Sequence, residues 1–215
     1  MTTPLSQFSK PEAEQYQEKR KLFLVPNYGF APGAPGEGQE HLERYWTGVR
    51  DQVNNLERSL GAVKYVFHEM LFSDGDEGMS LLENLSPQGS SFIQTLCNST
   101  ASLVVTEDRA LVEENTDWQR CLSIGLVSPT VTEAAMEGFK QTNRKRFEQI
   151  GEVIDSSLKE GEVGALFVRE DHGIQFPSDI QVFYIAPPAL DALKRWLNDQ
   201  VTAARQAAAP QTESQ

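Results

Sequence analysis

Two short segments of this chain combine histidine with carboxylates at the end of an apolar run. His68-Glu69 follows one run, and Arg169-Glu170-Asp171-His172 follows another. Imidazole and carboxylate together can bind zinc or another divalent cation, or can work as an acid–base pair in which the carboxylate orients the imidazole. On this hypothesis the two histidines are the metal ligands. The predicted catalytic residues are His68, Arg169, Glu170, Asp171 and His172.

That chemistry requires the two segments to converge. Both apolar runs are typical of β-strands, and ligands of open α/β sheets bind where strands end. Neighbouring side chains on a strand point to opposite faces, so His68 and Glu69 are not expected to share one site. The pair to test is therefore His68 with His172, with Arg169 beside them to hold an anionic substrate.

A purely structural role is the simpler explanation of both segments. His68 is then a core histidine whose hydrogen bonds are satisfied by its neighbours, and residues 169–173 form a solvated turn. No motif decides between the alternatives, because the sequence contains no Gly-x-Ser-x-Gly elbow, no Walker loop and no dinucleotide fingerprint. The sequence therefore predicts a position for a site but no reaction and no particular cofactor.

The elements that position these segments follow an α/β pattern. Apolar runs typical of strands alternate with helical patterns, and the run at residues 62–72 is apolar on both alternating faces, as in a strand covered on both sides. We predict an α/β fold with a mixed, mostly parallel sheet of about five strands flanked by helices. The strand-like runs are residues 22–25, 62–72, 101–105, 163–168 and 180–185.

Two helices have clear boundaries. The apolar stripe from Leu42 to Leu60 predicts a helix that Gly61 ends. A second helix begins at Ser128-Pro129, where serine can cap and proline suits the first helical position, and its stripe runs on to Leu158. At about 1.5 Å per residue this helix exceeds roughly 40 Å, which is long for a compact domain. We expect part of it to project or to contact another subunit.

Charge and composition exclude some classes of function. The formal net charge of -12 repels phosphate backbones and anionic membrane surfaces, so nucleic-acid binding is not expected. No apolar run approaches the ~20 residues of a membrane span, and the first residues lack the apolar core of a signal peptide. These features predict a cytoplasmic protein with no membrane contact.

One basic cluster departs from this acidity, at Arg144, Lys145 and Arg146. On a helix such cations pair with acids one turn away, as Arg144 would with Glu148. The alternative is a contact with RNA, the ribosome or an acidic partner.

Length favours one domain, since 215 residues are too few to make two the better expectation. We predict mobile tails at residues 1–20 and 201–215 around a single α/β domain at residues 21–200. The leading functional hypothesis is an accessory or protein-interaction protein with a protein partner or a homo-oligomeric state. The alternatives are a metal-dependent or acid–base enzyme centred on His68 and His172, and an RNA- or ribosome-associated factor.

Overall fold

The computed structural model describes residues 16–30 and 36–208 of the chain. Most of the two predicted tails, residues 1–15 and 209–215, lies outside the described residues, while residues 201–208 continue the last helix. The described residues form, in chain order, β1 (Arg20–Pro26), α1 (Gly36–Leu60), β2 (Val63–His68), α2 (Gly75–Leu85), α3 (Pro87–Ser99), β3 (Ser102–Leu103), α4 (Arg109–Ser123), α5 (Pro129–Ser157), β4 (Val163–Val168), β5 (Ile180–Tyr184) and α6 (Ala189–Ala208).

The five strands form one sheet in the order β3-β2-β4-β1-β5. The predicted α/β fold with about five strands is confirmed. Every described strand pairing is parallel, so the sheet is more uniform than the mixed one expected from the sequence. Helices α1, α2, α3 and α6 cover one face of the sheet, and α5 covers the other.

Burial on both faces explains why the central strands read as continuous apolar runs. In β1, Phe23 and Val25 pack in the core beneath α1, whereas Leu22 and Leu24 pack in the core beneath α5. All six residues of β4 are buried. Because β4 lies between β2 and β1, residues that follow these three strands are brought to the same edge of the sheet.

Strand β2 is shorter than the apolar run that predicted it. The run extends to residue 72, but the strand ends at His68 and the chain turns at Met70, whose φ is 67°. The Met70 backbone N–H donates to the Glu107 carboxylate (2.5 Å), and Thr106 donates its backbone N–H to the Leu71 carbonyl (3.0 Å). The apolar residue Leu71, which follows the strand, is therefore buried in a loop. Thr106 and Glu107, after β3, hold that loop in place by hydrogen bonds.

The predicted long helix is confirmed as the 29-residue α5, with Ser128 at its N-cap and Pro129 in its first turn. Its second half packs on the sheet, and its first half packs along α4. The two helices approach closely, since a Cβ added to Gly138 would lie 2.4 Å from Trp118. We call α4, residues 124–128 and the first half of α5 the α4–α5 hairpin. Across the described residues, no helix combines the length and the apolar character needed to cross a membrane.

Candidate functional site

The carboxyl edge of the sheet brings the predicted site segments together. The chain leaves β1 and β2 toward helices on the α1 face, but it leaves β4 toward the α5 face, where Ile174 joins the core. A crevice is expected where neighbouring strands continue to opposite faces, and this is where open α/β sheets bind ligands. The segments after β1, β2 and β4 surround that position.

His68 lies on the α1 face of this edge and is fully buried. Its Nε2 lies 3.1 Å from the Asn27 amide nitrogen, and its Nδ1 lies 2.5 Å from the Glu69 carbonyl oxygen. An amide nitrogen only donates and a carbonyl only accepts, so the ring is neutral with its proton on Nδ1. Burial lowers the pKa of His68 to about 4. The Ser86 hydroxyl donates to Asn27 Oδ1 (2.9 Å), which orients the amide so that its nitrogen faces the ring. Both ring nitrogens therefore have hydrogen-bond partners within the protein.

His172 is half-buried and contacts a different set of residues. Its Nδ1 accepts the Ile174 backbone N–H (3.3 Å), and its ring meets Phe176, which packs in the core beneath α5. Burial lowers its pKa, against the opposing effect of nearby Glu69 and Asp171 carboxylates. The side-chain hydrogen bonds of His68 and His172 reach no common residue. Among the described residues, no group of three or more His, Cys, Asp or Glu side chains could hold a metal ion.

Glu69 faces away from His68, as strand alternation predicts, and enters a buried network of charges. Arg146, only 1% exposed, donates from Nε (2.5 Å) and Nη2 (3.0 Å) to the two oxygens of Glu107, which is also buried. Glu69 Oε1 lies 3.4 Å from Nη2 of Arg146 and 3.4 Å from Nε of Arg169. We call Glu69, Glu107, Arg146 and Arg169 the edge network. Its two carboxylates and two guanidinium groups cancel in charge.

Arg169, the predicted anion-binding residue, is occupied by this network. Its backbone N–H donates to Glu69 Oε2 (3.0 Å), and its Nη2 donates to Asn143 Oδ1 (2.7 Å). Its Nε is close enough to Glu69 for an ion pair but lacks hydrogen-bond geometry. The guanidinium carbon lies 4.9 Å from the Phe147 ring centroid, a cation–π contact. Arg169 therefore holds the protein's own groups.

Glu170 lies outside both sets, whereas Asp171 borders the edge network at Arg169. The Glu170 carboxylate accepts hydrogen bonds from the Tyr28 and Tyr184 hydroxyls and pairs with Lys194 (2.5 Å). Burial opposes ionisation of Glu170, but these donors outweigh it and hold its pKa below the usual value. Asp171 is exposed, 3.5 Å from Arg169 Nε. The predicted site residues thus belong to separate sets of contacts, and neighbouring groups of the protein occupy most of their polar atoms.

The predicted basic surface cluster is wrong at one position, because Arg146 is buried and does not belong to a surface patch. Arg144 is 71% exposed and pairs with Glu148 (3.7 Å), as its spacing predicts. A signal for the burial of Arg146 was present in the sequence, since it precedes Ile150 and Ile154 by four and eight residues on the buried stripe of α5.

A second candidate site lies on the α4–α5 hairpin. The stripe of α5 that is buried on the sheet at Phe147 and Ile150 continues toward the N-terminus at Met136 and Phe139, where Met136 is 58% exposed. An open groove of about 1390 Å³ follows this stripe, and we call it the hairpin groove. Its apolar lining includes Leu122, Leu126, Val127, Met136 and Phe139.

The tip of the hairpin is apolar as well. Ile124 is 74% exposed and Val127 is 97% exposed, next to the positive φ of Gly125 that lets the chain turn there. The sequence predicted that part of α5 projects or contacts another subunit, but it did not single out these residues, because their stripe has the same spacing as a core stripe.

Comparison with known proteins identified no relative of this chain. No known family model matches the sequence, and no curated protein and no solved structure shows significant similarity to it.

Proposed function

We propose that this protein works through protein–protein contact and that the α4–α5 hairpin is its docking element. The observation that carries the proposal is the hairpin groove, where the buried stripe of α5 continues through the partly buried Phe139 to the exposed Met136. Contiguous exposed apolar surface of this kind marks sites of association in proteins.

Burial of the exposed apolar side chains at this surface would favour association. Full burial of one large aliphatic side chain is worth about 1.5–3 kcal/mol. Ile124, Val127 and Met136 all lie at the tip or along the groove, and each is more than half exposed. A partner that covered them would gain this term without removing any buried contact of the monomer.

The carboxyl edge offers less support for catalysis. His68 is neutral and buried with both ring nitrogens hydrogen-bonded, and the charges of the edge network cancel. An acid–base or metal site needs a group that can exchange a proton or a ligand with substrate. An RNA contact loses support because Arg146 is buried in a chain of net charge -12.

Site-specific photocrosslinking tests the proposal in cells that produce the full chain. We expect benzoylphenylalanine at position 127 to form a discrete adduct that Met136→Asp suppresses. The same probe at position 44, an exposed residue of α1, should form no such adduct. Once the partner found in the adduct has been purified, Met136→Asp should weaken its binding to this protein by about ten- to hundredfold, because one buried side chain is lost. Equal crosslinking at positions 44 and 127, or an adduct indifferent to Met136→Asp, would overturn the proposal.

A further inference from the structure

We infer that the occupant of the hairpin groove is a second copy of this chain, with the two α5 helices antiparallel and related by a two-fold axis near residues 138 and 139. The inference rests on the proposed function, and it adds the identity and the orientation of the partner. It follows from the order of charges along one flank of α5.

Four charged residues form that flank. Glu133, Glu137, Lys140 and Arg144 are spaced by four, three and four residues, so they follow one side of the helix. Each of them lines the hairpin groove or the smaller groove that continues it. The two acidic residues lie toward the tip of the hairpin, and the two basic residues lie toward the sheet. We call these four residues the charged flank.

The charged flank is complementary to itself when reversed. In two antiparallel helices related by a two-fold axis, the same flank of each helix runs along the interface, and a contact from residue i to residue j is matched by one from j to i. An axis between residues 138 and 139 places Glu133 opposite Arg144 of the second copy and Glu137 opposite Lys140 of the second copy. Both contacts occur twice. In a parallel two-fold arrangement the charged flanks of the two copies would lie on opposite sides of the interface and would not meet.

The apolar stripe lies beside this flank and meets its counterpart in the same arrangement. Met136 and Phe139 are close to the axis, so the stripes of the two copies cover each other at the centre of the interface. The first turn of α5, at Pro129, then comes opposite Glu148 of the second copy, and Val127 lies just beyond it. There the groove continues between α5, at Gly151, and the loop that carries Gln175 and Pro177.

The contacts that the charged flank makes within one chain do not oppose this assembly. Arg144 pairs with Glu148 at 3.7 Å, and Glu137 accepts a hydrogen bond from Gln141, both on the exposed surface of the helix. Exposed pairs of this type contribute little and are readily exchanged. Two chains of net charge -12 repel each other at long range, so their association requires local complementarity of this kind.

Charge reversal tests the inference with the full chain. Wild-type protein should sediment as a dimer of twice 24.0 kDa. Glu133→Lys with Glu137→Lys should weaken self-association at least about tenfold, and so should Lys140→Glu with Arg144→Glu, because each places like charges across the axis. An equimolar mixture of the two variants should form a heterodimer, and all four reversals in one chain should restore the homodimer.

Reversals of the same charge on exposed positions of α4 serve as controls. Glu113→Lys with Asp117→Lys matches the first variant in net charge, and Arg109→Glu with Arg120→Glu matches the second. Neither control should change the dimer. A wild-type chain that stays monomeric overturns the inference, whereas an adduct of position 127 with a different protein would still support the proposed function. A dimer indifferent to reversal of the charged flank overturns the antiparallel arrangement.

Discussion

The carboxyl edge of the sheet and the α4–α5 hairpin are built in opposite ways. At the edge, charged groups that are costly to bury are paired until their charges cancel, and His68 is neutral between two hydrogen-bond partners. On the hairpin, apolar groups that gain from burial remain in solvent. Most polar groups of the edge have partners within one chain, whereas the exposed apolar groups of the hairpin tip do not. This difference is why we assign a stabilising role to the edge and propose the hairpin as the docking element.

One helix belongs to both regions. Arg146 and Met136 are ten residues apart on α5, about 15 Å at the usual helical rise. The sheet and the loop after β3 cover the first, and solvent covers much of the second. The contrast between edge and hairpin therefore comes from the surroundings of α5 more than from its own sequence.

The largest effect should come from breaking the edge network. Arg146→Ala leaves Glu107 buried without its bidentate partner, and removal of one member of a buried ion pair costs about 3–5 kcal/mol. We expect the free energy of unfolding in urea to fall by that amount. Arg144→Ala, two residues away, removes an exposed pair and should change it by less than about 0.5 kcal/mol. Similar urea midpoints for the two variants would show that the edge network does not stabilise the fold.

The fold was predictable because its signals are local. Continuous apolar runs identified the buried strands, Gly61 ends α1 with a positive φ, and Ser128-Pro129 starts α5. The end of β2 was not predictable, because apolar alternation continues past His68 into a loop. That loop is held by a carboxylate 37 positions further along, at Glu107.

A second test concerns the pH dependence of stability. The pKa of His68 is about 4 in the folded protein and near 6.5 when unfolded, so the unfolded state binds the proton more readily. The stability that neutral His68 contributes is complete above pH 6.5 and is lost as the pH falls toward 4. Between pH 7 and pH 4 the wild type should lose on the order of 3 kcal/mol more than His68→Gln.

Urea unfolding at a series of pH values measures this difference. Nitrogen NMR of the ring should also report a neutral imidazole protonated on Nδ1 at pH 5.5. Parallel stability curves for the two proteins, or a charged ring at that pH, would contradict the assignment of His68 to the core.

A third test addresses the link between the two regions. Asn115 on α4 accepts from Arg146 Nη1 (2.9 Å) and donates to the Thr142 hydroxyl (2.8 Å). Asn115→Ala leaves a buried guanidinium donor without its acceptor, which should lower the free energy of unfolding by about 1–3 kcal/mol. Hydrogen exchange should accelerate along α4 more than in the strands. Gln119→Ala, one turn further along α4 at an exposed position, should leave both quantities unchanged. Equal effects of the two variants would show that the Asn115–Arg146 hydrogen bond does not couple α4 to the edge network.

The candidate sites were harder to predict than the fold because each depends on distant partners. Arg146 follows two other basic residues, and only the carboxylates after β2 and β3 show that it is buried. Met136 and Phe139 have the spacing of a core stripe, and the exposure of Met136 depends on where the sheet ends beneath α5. Strand alternation did correctly separate His68 from Glu69, because that property is local.

The smallest effect is expected at the hairpin tip, where it separates stability of the monomer from stability through association. Val127 is 97% exposed, so Val127→Asp removes no core contact and should change the unfolding free energy of dilute protein by less than about 0.5 kcal/mol. Association adds stability that grows with concentration. A tenfold rise in wild-type concentration should therefore add on the order of 1 kcal/mol and raise Tm by about 2–4 °C. Scanning calorimetry at two concentrations measures this, and Val127→Asp should show no such rise. A wild-type Tm independent of concentration, with the edge variants behaving as described, would mean that the hairpin contributes nothing to stability through self-association.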